Sequence, residues 1–296
     1  MAELLPGFVA RRISVTDADI HVSTGGSGPP LLLLHGYPQT HAMWHRIAPR
    51  LAERFTVVCP DLRGYGDSAK PKGGAGHINY SKRAMARDQV EVMRTLGFER
   101  FDVAGHDRGG RVAHRMALDH PRNVKSLAVI DIAPTRLMFA QTTQAFATAY
   151  YHWFFLIQPF DLPERLIGAD PMFFLHWTLG GWGSKLDHFD PRALAEYERC
   201  FVDPATIHAT CEDYRAAASI DLDHDRADAQ NKVACPLLVL WGAKGVVQRL
   251  FHPLADWMSV AGDVRGEALP GGHFLAEESP DATLAALYFF FSDSPH

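Results

Sequence analysis

The period of apolar and polar positions along the chain changes twice. Up to about residue 133, short apolar runs alternate with longer, helix-patterned stretches. The runs are Leu31-Leu32-Leu33-Leu34, Phe55-Thr56-Val57-Val58-Cys59, Phe101-Asp102-Val103-Ala104 and Ser126-Leu127-Ala128-Val129-Ile130. Runs this short are strands rather than helices, and strands that alternate with helices predict βαβ units of a parallel sheet. After Pro134 the alternation stops. Residues 135 to about 232 read as helices rich in aromatics, among them Tyr150, Tyr151, Trp153, Phe154, Phe155, Phe173, Phe174, Trp177 and Trp182. A further strand is expected at Pro236–Trp241, then a helix, then a strand at Val264–Leu269 leading into Pro270-Gly271-Gly272-His273-Phe274. The expected organisation is a core over 1–134, a helical cap over 135–232, and the rest of the core over 233–296.

Each early run ends in a polar or glycine-rich segment, and sites in open α/β sheets lie beyond the carboxyl ends of the strands. The most informative of these ends is Gly105-His106-Asp107-Arg108-Gly109, between a strand and a helix pattern. This is a small-x-nucleophile-x-small turn, in which flanking glycines are needed because a Cβ would collide with neighbouring backbone. Its central residue is an aspartate. A carboxylate there can attack an electrophilic carbon and form an ester that water then opens, which is covalent hydrolysis at carbon. The plainer alternative is an aspartate that caps the following helix.

Two partners follow in the order nucleophile, acid, histidine. His273, after a glycine pair in a late loop, suits a general base for the water that opens the ester. The acid that orients it is expected at Asp131, directly after Val129-Ile130, because the later strand runs into Trp241-Gly242-Ala243-Lys244-Gly245 without a carboxylate. The alternative for Asp131 is a strand-end cap. The backbone amides of Tyr37, after His35-Gly36, and of Arg108 occupy the positions of an oxyanion hole.

Composition narrows the reading mainly by exclusion. With 296 residues and 47% hydrophobic content the chain can bury a large core. A net charge of −5 without a Lys/Arg block disfavours nucleic acid. The opening Met1-Ala2-Glu3-Leu4-Leu5-Pro6-Gly7 lacks the basic start and apolar stretch of a signal peptide, and no apolar run approaches a membrane span. A soluble cytoplasmic protein is expected. Cys59, Cys200, Cys211 and Cys235 form no CxxC pair, so neither a disulfide framework nor a zinc site is indicated.

The combination of His-Gly-Tyr-Pro-Gln-Thr at 35–40, Gly-His-Asp-Arg-Gly-Gly-Arg at 105–111, Tyr-His-Trp at 151–153 and Cys-Glu-Asp-Tyr-Arg-Ala at 211–216 resembles the fluoroacetate (haloacetate) dehalogenases of the α/β-hydrolase fold. The resemblance spans core and cap. It implies a mostly parallel sheet flanked by helices with an inserted helical cap, hydrolysis of haloacetate to glycolate and halide by Asp107, His273 and Asp131, no metal or organic cofactor, and a homodimer. It also implies a halide pocket of His152, Trp153 and Tyr214; Trp182 is a separate candidate for lining the substrate entrance.

The residues themselves agree with an anionic substrate. Arg108 and Arg111, three apart, share a helix face beside the nucleophile, and guanidinium presents donors in a geometry matched to carboxylate. Their positive charge offsets repulsion between nucleophile and substrate. The alternative is that these arginines pair with protein carboxylates. Arg115, one turn on, is assigned to that structural role. Imidazole, indole and phenol supply uncharged donors for a departing halide. Two rival functions remain: an epoxide hydrolase using Tyr214 and Tyr151 as acids, and a non-catalytic receptor for a small acid.

Overall fold

The computed structural model describes residues 4–293, so Met1, Ala2 and Glu3 of the opening segment lie outside it. Eight strands form one sheet: β1 (Val9–Ser14), β2 (Asp19–Gly25), β3 (Pro30–Leu34), β4 (Thr56–Pro60), β5 (Phe101–His106), β6 (Val124–Ile130), β7 (Leu237–Gly242) and β8 (Val264–Leu269), in the order β1-β2-β4-β3-β5-β6-β7-β8. The pairs from β4 to β8 are parallel, and β2 runs antiparallel to both β1 and β4. The interior strands are the expected apolar runs, because a parallel strand covered on both faces carries apolar side chains throughout. β5 is buried at every position.

The β1–β2 hairpin was not among the expected strands. Along β1 only Ile13 is buried, and Arg11 and Arg12 lie within it, so an edge strand facing solvent leaves no apolar run to read.

Between strands run α1 (Ala48–Leu51), α2 (Lys82–Thr95) and α3 (Arg108–Asp119), the last packed against β5 and β6. Between β6 and β7 the chain forms helices without a strand: α4 (Thr135–Ala140), α5 (Gln144–Ala149), α6 (His152–Phe155), α7 (Leu162–Ala169), α8 (Pro171–Leu179), α9 (Pro191–Phe201), α10 (Pro204–Ala217) and α11 (Ile220–Ala227). The remainder is α12 (Val246–Leu250), α13 (Pro253–Met258), α14 (Leu275–Glu278) and α15 (Pro280–Ser292). Among the described residues no helix is long and apolar enough to cross a membrane.

The turn from β5 into α3 is sharp, and its glycines have a steric cause. A Cβ on Gly109 would lie 2.4 Å from the carbonyl oxygen of His35, and one on Gly105 would lie 2.4 Å from that of Gly109. Asp107 between them has φ 45° and ψ −114°, a conformation that costs energy for a residue with a side chain.

Candidate active site

Asp107 leaves the carboxyl end of β5, Asp131 follows the end of β6, and His273 sits between β8 and α14. Oδ2 of Asp107 accepts a hydrogen bond from the Tyr37 amide at 3.0 Å. Among the described residues, the Arg108 amide adds no such bond. Of the two amides expected to serve as an oxyanion hole, one is thus already on the carboxylate.

His273 donates from Nδ1 to Oδ2 of Asp131 at 2.6 Å, and the other Asp131 oxygen accepts the Gly242 amide at 2.9 Å. The end of β7, which offers no carboxylate of its own, thereby steadies the one after β6. The His273 loop is pinned by the amides of Gly272 and Phe274, which both donate to the Glu278 carboxylate, at 2.8 and 2.7 Å. It is also held by Nε2 of His106, 2.8 Å from the His273 carbonyl oxygen. Nε2 of His273 is left buried and without a protein partner.

Charges at the site shift one another. Burial pushes the Asp107 carboxyl up, but His273, Arg111 and Arg108 outweigh it and hold the group below its usual range, so it is ionised. Burial pushes His273 down, while the hydrogen bond and charge of Asp131, with Asp107 behind them, raise it above its ordinary value. Burial drives His152 down to about 3, against the pull of Asp107 and helped by His273, so its ring is neutral. Tyr214 is pushed well above 10, chiefly by burial and then by Asp107, and keeps its proton.

Around this carboxylate the helical insertion contributes aromatic rings. His152 is stacked on Tyr37 with ring centres 6.1 Å apart, and lies 5.6 Å from the ring of Tyr214 and 4.4 Å from that of Trp182. Trp182 reaches the His273 ring at 5.1 Å, and Trp153 is buried 6.4 Å from Tyr214. His152, Trp153, Trp182 and Tyr214 therefore come together with Tyr37 and His273 beside Asp107.

The arginines depart from the expected forked clamp. Arg108 directs Nε and Nη2 at Asp213, to Oδ2 at 2.9 Å, Oδ1 at 2.8 Å and the backbone oxygen at 3.0 Å, with its guanidinium 4.2 Å from the centre of the Tyr214 ring. This is pairing with a protein carboxylate, the alternative to a two-pronged grip on substrate, and it leaves only Nη1 without a partner. Arg111 directs Nη1 to the Ala133 carbonyl and Thr135 hydroxyl and Nη2 to Met138 Sδ, leaving Nε. Burial lowers Arg111 to about 10, so it remains charged at neutral pH. Arg115 pairs with Asp119, Asp225 and Asp228.

A set of buried polar atoms without protein partners among the described residues collects here: Tyr37 Oη, Arg108 Nη1, Arg111 Nε, Tyr150 Oη, His152 Nδ1, Tyr214 Oη and His273 Nε2. Buried polar groups are normally paired, so this many beside one carboxylate mark the groups that a polar occupant would satisfy. A separate cavity of about 270 Å³, lined by His114, Leu118, Leu137 and Val260 among others, includes none of them.

The Tyr37 and Tyr150 hydroxyls were missed in the sequence, as was Asp213. Tyr150 looked like one more aromatic of the insertion, and no spacing rule pairs Asp213 with Arg108 from 105 positions away. Tyr151, the second acid of the epoxide reading, is 37% exposed and outside the set. For metal, the described residues offer His21, His41 and Asp61, with ligand atoms within 4.8 Å of one another. There the Asp61 carboxylate already accepts His41 Nδ1 and the amides of His41 and Asp67.

Comparison with known proteins agrees with this geometry. The model of the alpha/beta hydrolase fold family matches residues 29–279. A fluoroacetate dehalogenase of Burkholderia sp is 52% identical over 98% of this chain and 96% of its own. A solved alpha/beta hydrolase of Nostoc sp PCC 7120 superposes with a TM-score of 0.96 at 60% identity, covering 97% of this chain and 98% of its own. A soluble epoxide hydrolase of Corynebacterium sp. (strain C12) is more distant, at 36% identity over 92% of this chain and 93% of its own. With its aspartate elbow at the end of β5 and a family match that spans both parts of the core, the chain belongs to the α/β-hydrolase fold family.

Proposed function

We propose that the chain hydrolyses haloacetates, fluoroacetate and chloroacetate among them, to glycolate and halide through an ester on Asp107. The observation that carries this reading is the meeting of one ionised, buried carboxylate with the unpartnered N–H of two guanidiniums and the unpartnered donors His152 and Tyr214. An anionic substrate with a leaving group on its α-carbon matches that set at both ends. The likeness to the fluoroacetate dehalogenase supports it independently.

The substrate carboxylate lies against Nη1 of Arg108 and Nε of Arg111, one nitrogen for each oxygen. This presents the α-carbon to Asp107 and offsets repulsion between two anions. An Asp107 oxygen attacks carbon as the carbon–halogen bond breaks, and the halide departs with both electrons toward His152, Trp153 and Tyr214. Neutral donors suit that task. Fluoride needs them most, because it is small and leaves a strong hydration shell behind.

Esterification then changes the base. The negative charge of Asp107 is one cause of the raised His273 pKa, and the ester removes it, so His273 becomes easier to deprotonate when a base is needed. His273 Nε2 takes a proton from water, water attacks the Asp107 carbonyl carbon, and the Tyr37 amide stabilises the oxyanion. As the intermediate collapses, the His273 imidazolium returns its proton to the departing alkoxide, glycolate is released, and the Asp107 carboxyl loses its proton to restore the carboxylate. The homodimer enters this reading on the resemblance alone, and the mass in solution decides it.

The epoxide reading draws support from the Corynebacterium relative and from two buried phenols, Tyr214 and Tyr150, in place of the exposed Tyr151. A neutral epoxide would give Arg108 Nη1 and Arg111 Nε no charged acceptor, which weighs against it. The test is ion-selective measurement of halide released from fluoroacetate and chloroacetate, with styrene oxide in parallel. Release of both halides, abolished in Asp107→Asn, supports the proposal. Turnover of the epoxide without halide release overturns it, and inertness toward both classes leaves the receptor reading.

A further inference from the structure

Asp213 stands apart from every other carboxylate of the insertion because three groups of the core hold it at once. Arg108 at the start of α3 takes both its oxygens, as described above. Tyr65, in the loop after β4, donates its hydroxyl to Oδ2 at 2.7 Å. The ammonium of Lys82, first residue of α2, contacts Oδ1. The Asp213 side chain is wholly buried and that of Lys82 nearly so. On the far side of Lys82 lies Asp221, which accepts the Lys82 amide at 2.8 Å and has an oxygen 3.8 Å from the ammonium. Burial raises the Asp213 carboxyl, but Arg108 and Lys82 outweigh it and hold the group far below its usual range.

Resting on the haloacetate reading, we propose that Asp213 is a positioning residue for that reaction: it pins Arg108 so that only Nη1 faces the substrate carboxylate, with Lys82 as its second counter-charge. Unrestrained, a guanidinium offers a two-pronged edge and swings on a flexible stem. Here Nε and Nη2 are committed to Asp213, and the Tyr214 ring lies against the guanidinium. Nη1 alone is left, which matches the single Nε left on Arg111 and divides one carboxylate between two arginines.

Lys82 bears on the same point. An aspartate paired with Arg108 alone would cancel its charge just where an anion must bind. Sharing that aspartate with a second cation leaves more of the positive field of Arg108 for the substrate. Asp213 also directly precedes Tyr214, so the contact that orients the carboxylate donor fixes the helix that carries a halide donor. Both ends of the substrate are thereby referenced to one buried joint between core and insertion.

The test compares wild type with Asp213→Asn, Lys82→Met, Lys82→Arg and Tyr65→Phe, by steady-state halide release from chloroacetate and by calorimetric titration with acetate. For Asp213→Asn the expected result is a fall in kcat/KM of roughly a hundredfold, the effect of misplacing a reactive geometry by about an ångström. Lys82→Met should raise KM and the acetate Kd roughly tenfold with a smaller change in kcat, and Lys82→Arg should restore most of it. Tyr65→Phe should show the same pattern, more weakly. If Asp213→Asn does not fold, the Lys82 and Tyr65 variants decide. A merely structural joint would lower the melting temperature yet leave KM and acetate affinity of the folded fraction unchanged, and that result overturns the proposal. Wild type without halide release would fail the haloacetate reading instead, and the acetate titrations would still read the positioning.

Discussion

The two halves of the site differ in how their polar groups are satisfied. On the hydrolytic side, Asp131 accepts from His273 and from the end of β7, the His273 loop is held by Glu278 and His106, and Asp107 already has the Tyr37 amide, while His273 Nε2 is left open. On the substrate side, Arg108 Nη1, Arg111 Nε, His152 Nδ1 and the hydroxyls of Tyr214, Tyr150 and Tyr37 have no protein partner. The difference separates two duties. On the proposed mechanism, the groups that move protons are anchored by hydrogen bonds within the fold. The groups proposed to receive the substrate and its leaving halide are left without protein partners.

That contrast makes the expected effects unequal. Asp107→Asn removes the nucleophile itself and should reduce halide release at least 10⁴-fold, read by electrode. His273→Gln should spare the first step and block the second, giving one equivalent of halide per site and a lasting ester. Intact-protein mass spectrometry would show the added carboxymethyl group, while turnover falls roughly 10³-fold or more. Rapid turnover without ester would break the division of labour between the halves.

On the substrate side the effects are smaller and fall on different constants. Arg111→Met should raise KM for chloroacetate by roughly two powers of ten, since a charged hydrogen-bond partner is lost from a desolvated anion. A neutral epoxide, if turned over at all, should be indifferent to it. Tyr214→Phe deletes one donor and should slow fluoroacetate about tenfold, and chloroacetate less, because fluoride depends more on replacement hydrogen bonds. Equal slowing of both would move Tyr214 from halide binding to packing.

The pH profile links the halves. His273 is raised in the free protein, chiefly by Asp131 against the effect of burial, and must be neutral to act as base. The hydrolytic step should therefore lose rate as pH falls through the His273 value, about tenfold per unit below it. Asp131→Asn removes the main raising causes, so the acid limb should move to lower pH even as the maximal rate drops. An unmoved limb would assign it to another group.

The same contrast decides what the sequence made legible. Strands β3 to β7 announced themselves because a covered parallel strand must be apolar, β8 was expected although it is an edge strand with Arg265 and Glu267 exposed, and Asp107, Asp131 and His273 followed as candidates because sites in such sheets lie where the strands end. The β1–β2 hairpin, open to water on its outer edge, carried no such pattern. In the insertion, packing and function use the same residue types. Aromatic rings at helical spacing are what any apolar helix layer contains, so His152, Trp153 and Tyr214 came only through likeness to a known family, and Tyr150 did not come at all. The grip of Asp213 on Arg108 joins two segments far apart in the chain, and only the folded backbone brings them together. It leaves Arg108, like Arg111, one unpartnered nitrogen for the expected clamp.

The central claim is that carbon–halogen hydrolysis passes through an ester on Asp107. The direct test is one turnover with excess protein in water enriched in ¹⁸O, followed by mass spectrometry of the peptide that contains Asp107 and of the glycolate released. The account predicts one heavy oxygen in the Asp107 carboxylate and unlabelled glycolate from that first turnover. Heavy oxygen in the glycolate, with Asp107 unlabelled, would mean that water attacks carbon directly and would contradict it.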